Sequence, residues 1–200
     1  MRDAAPDVAS LLAGLLVLAS LLMSVEAGLP ALPGTLRLHG CVAAVAVAWQ
    51  AHTRAAPALY VAAIIILAVR AALIPRVLRR CRARGEGDAA GASGRILFAG
   101  VGLLALSFAA LLPGAAPAGA APRAALALAL TVVLLGLLVT ATRRDAVGQL
   151  AGFVALANGI DLAAATTPAM PHAVALSLAL TVLVAALTLG AVSLSARSVP

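Results

Sequence analysis

From Ala124 to Val139 the chain carries one hydroxyl, Thr131, and no charge. With its flanks this run fills residues 123–142, enough at about 1.5 Å per residue to cross roughly 30 Å of hydrocarbon. A chain inside lipid must satisfy every backbone amide and carbonyl internally, which leaves helices or a closed barrel. Unbroken apolar runs of this length are the helical case. Comparable runs fall at residues 8–25, 36–51, 57–78, 96–112, 146–166 and 172–195. The sequence therefore predicts an all-α fold, a polytopic membrane helix bundle with about seven transmembrane helices. Composition agrees: 64% of residues are hydrophobic and 10% charged, too few polar groups to coat a soluble domain of 200 residues.

The chain divides at its polar linkers. Residues 1–95 hold three spans and an arginine-rich loop, 96–122 a fourth span and a Pro/Ala/Gly loop, and 123–200 the last three spans. The run 36–51 is short for a full crossing, and residues 28–34, with Pro30, Pro33 and Gly34, read as a loop before it. Pro75 lacks a backbone donor and predicts a kink or helix end near it. Val25-Glu26-Ala27 before Gly28 has small residues where a signal peptidase would need them. Against cleavage, Asp3 and Asp7 offset Arg2, and the apolar run is long for a signal core. The first helix is read as retained, with six spans if it is cleaved.

All fourteen basic residues are arginine, and the net charge is +7. They cluster beside apolar spans, where they set orientation, so no nucleic-acid partner is expected. Arg76, Arg79, Arg80, Arg82, Arg84 and Arg95, then Arg143 and Arg144, then Arg197, all fall on one side if seven spans alternate. That side is cytoplasmic by the positive-inside rule, with the N-terminus outside and the C-terminus inside. Arg143 and Arg144 are read as holding the turn between the fifth and sixth spans. Trp49 and Tyr60 flank one loop, as interfacial anchors do.

Within the spans the informative residues are the ionisable ones. An ionisable side chain in hydrocarbon costs roughly 2.5–3.5 kcal/mol on insertion scales, so it faces protein or water. Asp161 is the one acid inside a predicted span, and Asn158 precedes it by three residues, on one helix face. Gly152 and Gly159 leave room for a neighbouring helix, so the four together predict a small, polar packing stripe. Two roles fit Asp161: a proton-relay carboxylate, or a structural acid satisfied by a neighbour. Counting residues, Asp161 lies about 7–8 Å to the outer side of its helix centre and Arg70 about 4–5 Å to the inner side of its own. At some 12 Å apart along the membrane normal, a direct ion pair between them is not expected without tilt. Arg70 is expected instead to meet His39, a backbone carbonyl, water or an acid on another chain, or to snorkel with no role. His39 is the other group that can join a chain of proton carriers; its bland reading is a structural histidine. Cys41 and Cys81 have no spacing partner for a metal or a disulfide. With no metal-ligand cluster, phosphate loop or nucleophile–base pair in sequence, no cofactor, metal or catalytic residue is expected in this chain.

The run from Leu137 to Ala163, LLVTATRRDAVGQLAGFVALANGIDLA, is similar to the start of the K subunit of NADH-quinone oxidoreductase. That family has an Arg-Arg-Asn turn, then a helix with a glutamate and later asparagines, in a three-helix layout that residues 123–200 match. The four helices before it resemble something more specific, the component E membrane subunit of hydrogenase-4 and formate hydrogenlyase. In that family an intramembrane lysine precedes a Leu-x-Pro-like end of the third helix, where this chain has Arg70-Ala-Ala-Leu-Ile-Pro75. The family's Glu-Asn-Gly corresponds to Ala157-Asn158-Gly159.

The resemblance implies an accessory subunit, itself not catalytic, in the membrane arm of a complex-I-like oxidoreductase of the cell inner membrane. Its partners would be antiporter-like membrane subunits and the bilayer. The redox centres would sit in other chains and be coupled to proton or sodium movement. Two departures stand out. The K-subunit glutamate aligns with Val154 and that of component E with Ala157, while Thr181 falls where component E carries an acid in its last helix. Asp161, one turn after Ala157 on the same face, is either the relocated carboxylate or a mark of a member that only holds its neighbours together. A small stand-alone transporter and a purely structural assembly subunit are the competing classes.

Overall fold

In a computed structural model the chain is described over residues 5–26, 31–82, 93–111, 120–143, 146–167 and 173–197. These residues form helices, with no strand among them. In chain order the helices are α1 (Ala5–Glu26), α2 (Leu32–Thr53), α3, α4 (Ser93–Leu111), α5 (Ala120–Thr142), α6 (Ala146–Thr166) and α7 (Ala173–Arg197). The helix α3 has three consecutive segments: α-helical Pro57–Ile65, a wider π-helical Ile66–Leu73, and α-helical Ile74–Arg82. Among the described residues, four stretches are long and apolar enough to cross a bilayer: Leu32–Thr53, Pro57–Arg79, Arg123–Thr142 and Val147–Thr166. Arg144, His172 and most of the linkers around residues 84–92 and 113–119 lie outside the described residues.

Two boundaries differ from the sequence expectation. The second span is not short: α2 starts at Leu32 and runs 22 residues. Pro33 sits in its first turn, where a missing amide hydrogen costs nothing because that amide has no intrahelical acceptor. Nor does Pro75 end the third helix, which continues to Arg82. Pro75 cannot donate to a carbonyl in the turn before it, and the helix is widened immediately upstream, over Ile66–Leu73.

The turn from α2 to α3 is tight. Ala55 adopts φ 50°, a left-handed conformation, and the Ala56 amide donates to the Ala51 carbonyl at 3.0 Å. Trp49 and the exposed Tyr60 flank this turn.

Helices α1, α2, α5 and α6 form the centre; α4 packs on α1 and α5, while α7 packs on α3 and α6. The α5–α6 pair is the tightest. A Cβ on Gly152 would collide with Thr140 of α5, and one on Gly159 would lie 2.8 Å from the Val133 nitrogen. The predicted close approach of Gly152 and Gly159 is thus present, with Gly136 answering from α5 against Leu156. The single small, polar stripe is not. Residues 158 and 159 differ by about 100° around the helix, so the glycines face α5 while Asn158 and Asp161 face the other way.

The apolar core is split in two. One cluster gathers Leu16 of α1, Val47 of α2, Ile66 of α3 and Leu162 of α6. The other gathers Met23, Leu36, Ile74 and Val154 of the same four helices, with Val184 of α7. Between the two, at the level where α1, α2, α3, α6 and α7 pass from one cluster to the other, lies a layer of buried polar side chains: Ser20, His39, Arg70, Asn158, Asp161, Ser177 and Thr181.

Candidate functional site: a buried polar layer

Arg70 is the centre of this layer. It is fully buried, on the π-helical segment of α3. The segment lies close against α2: a Cβ on Gly40 would stand 2.9 Å from the Ala71 Cα, so only glycine fits there. Four groups receive its guanidinium hydrogens. Nη1 donates to the Asp161 carboxylate, forming an ion pair, and to Asn158 Oδ1 at 3.0 Å. Nη2 donates to Thr181 Oγ1 at 3.0 Å and to the Ser177 carbonyl at 3.3 Å.

The direct Arg70–Asp161 pair overturns the expectation that the two would stand apart. The apolar stretch of α3, Pro57–Arg79, is centred within a residue of the span expected from sequence, so the position of Arg70 along the helix is not what closes the gap. Counting along two helices as if both stood on the membrane normal ignores tilt and the arginine's length. The energetics favour closing the gap, because an unpaired charge in a bundle interior is far costlier than a paired one. The expected backbone carbonyl partner is present, as Ser177; the expected contact with His39 is indirect, through Asn158.

His39 is not a histidine at a helix end. It is completely buried in α2, with Nε2 2.8 Å from Ser20 Oγ and Nδ1 2.9 Å from Asn158 Nδ2. Ser20 in turn donates its hydroxyl hydrogen to the Leu16 carbonyl at 2.8 Å. One connected set of hydrogen bonds therefore runs from Thr181 of α7 through Arg70 of α3, Asn158 of α6 and His39 of α2 to Ser20 of α1. Asp161 Oδ1 and Ser177 Oγ, both buried, have no hydrogen-bond partner among the described residues.

Arginines also join helices at the two ends of the bundle. Arg54, in the α2–α3 turn, donates to the Thr166 carbonyl at the end of α6. Arg143, just past α5, sends Nη2 to the Ser24 carbonyl near the end of α1 at 2.7 Å. At the turn that Arg143 and Arg144 were expected to hold, the Arg143 carbonyl accepts from Gln149 Nε2 at 2.8 Å. The Arg143 side chain, through its bond to Ser24, also ties this end of α5 to α1.

Sequence reasoning brought out Asp161, Asn158, Arg70 and His39, and the fold brings all four together. It missed Ser20 and Ser177, and singled out Thr181 only through the resemblance. Their signal was spacing: Ser20 with Ser24, and Ser177 with Thr181, each stand four apart, on one helix face. The chain matches no family model, no curated protein and no solved structure.

Proposed function

We propose that this chain is an accessory, non-catalytic subunit in the membrane arm of a complex-I-like, hydrogenase-4-type assembly, and that its part there is to hold neighbouring subunits in register rather than to carry ions itself. In this reading all seven helices cross the cell inner membrane, with the N-terminus outside and the C-terminus in the cytoplasm. The arginine-rich stretches then share the cytoplasmic side. The partners are antiporter-like membrane subunits.

The observation that carries the reading is the Arg70–Asp161 ion pair, with Arg70 fully buried and hydrogen-bonded to four groups of the same chain. An ion path needs a charged group that can release its partner and meet water; a guanidinium held on α3 by α6 and α7 resists that. The pair also bears on the resemblance. The carboxylate missing at Ala157 is supplied one turn on by Asp161, and it meets the arginine that stands where the family has lysine.

Affinity purification of the tagged full chain from its native membrane tests this. Antiporter-like subunits and a nickel–iron catalytic subunit should co-purify. In an Asp161→Asn strain in which the chain still accumulates in the membrane, loss of the assembled complex supports the holding role. Intact assembly with lost ion pumping would transfer the role to ion conduction. Recovery of the chain alone, as a stable monomer with transport activity, would sink the subunit reading.

A further inference from the structure

The hydrogen bonds of the polar layer have a fixed direction, and donor chemistry alone sets it. Arginine has five N–H donors and no acceptor. The atom of Asn158 that faces Arg70 must therefore be its oxygen, 3.0 Å from Nη1. Its amide nitrogen is then the atom 2.9 Å from His39 Nδ1. An NH₂ group only donates, so Nδ1 is the acceptor and carries no hydrogen. The imidazole hydrogen belongs on Nε2, which donates to Ser20 Oγ at 2.8 Å. Ser20 is free to accept, because its own hydrogen goes to the Leu16 carbonyl. Each bond from Arg70 to Leu16 thus points the same way.

From this we propose that Asn158 is a proton block: it fixes His39 as the neutral Nε2–H tautomer and separates it from the Asp161 carboxylate. A relay passes a proton only through groups that both accept and donate one. Two groups stand between Asp161 and His39, and neither does this. Arg70 keeps its proton, and a carboxamide would have to pass through an imidic acid. Protonating His39 would set Nδ1–H against the Asn158 NH₂. Flipping the amide to relieve that clash would set the same NH₂ against Arg70. The charged and polar groups facing His39 are Ser20 from α1, Arg70 from α3 and Asn158 from α6, and Asp161 is screened from it by Arg70 and Asn158. The proposal goes beyond the subunit reading, since it concerns bonds within this chain whatever the chain assembles with.

The test is ¹⁵N-histidine solid-state NMR on the full chain in lipid bilayers, with His52 and His172 changed to glutamine so that one imidazole remains. The expected spectrum has a bare Nδ1 and a protonated Nε2, a single tautomer, and no titration between about pH 5 and 8. A protonated Nδ1, a mixture of tautomers, or a titration in that range overturns the block. Asn158→Asp replaces the amide with a group that accepts on both sides. It should move hydrogen onto Nδ1 and bring titration into range, and an unchanged spectrum would deny Asn158 the role. The Asn158-containing spectrum decides the tautomer by itself should the aspartate variant not fold.

Discussion

Arg70 on α3 and Asp161 on α6, 91 residues apart in sequence, close an ion pair with side-chain exposures of 0% and 2%. Such a pair gains little over an apolar one of the same shape, but breaking it leaves a bare charge in the core. Asp161→Asn, Asp161→Leu and Arg70→Met are each expected to destabilise the chain by about 3–5 kcal/mol. The double variant Arg70→Met/Asp161→Leu should recover most of that loss. Thermal unfolding in detergent across the four-member cycle measures it, and additive losses would mean the pair is not coupled.

Gly40 makes room for the π-helical segment that carries Arg70. A side chain there meets Ala71 backbone, which cannot rotate away. Gly40→Val is expected to cost about 1–3 kcal/mol by overpacking. It should also displace the segment that holds Arg70, so that Asp161→Asn costs less in its presence than alone. An undiminished Asp161→Asn penalty would show that the two positions are independent.

Gly152 sets the distance between α5 and α6. Gly152→Leu drives a side chain into Thr140, with an expected loss of about 1–3 kcal/mol or failure to accumulate. Gly102 of α4 has nothing within reach of an added Cβ, and Gly102→Ala should be neutral or slightly stabilising. Expression level and thermal midpoint of the two variants, measured side by side, provide the check.

Ala55 holds a left-handed backbone at φ 50°, which costs an alanine roughly 1–2 kcal/mol against a right-handed conformation. Ala55→Gly is therefore expected to raise stability by a fraction of that, part of the gain being returned because glycine frees the unfolded chain. A lowered thermal midpoint would contradict the strain.

The sequence by itself determined that this chain is helical, how its apolar runs are spaced, and which residues are out of place among them. A run of twenty apolar residues leaves few structural choices, and an aspartate, an asparagine, an arginine and a histidine within such runs stand out on cost alone. Glycines at 152 and 159 similarly announced a close helix contact, because nothing else explains that spacing so simply. What the sequence did not contain was the geometry between helices. Helix counting separated Arg70 from Asp161, whereas a π-helical segment and a long side chain join them. It gave no reason to link His39 to Asn158, since contacts across 119 residues depend on how whole helices pack. Tertiary structure alone decided that the polar residues of five helices share one layer between two apolar clusters. Local pattern fixes which face of a helix is polar; only packing fixes which other face it meets.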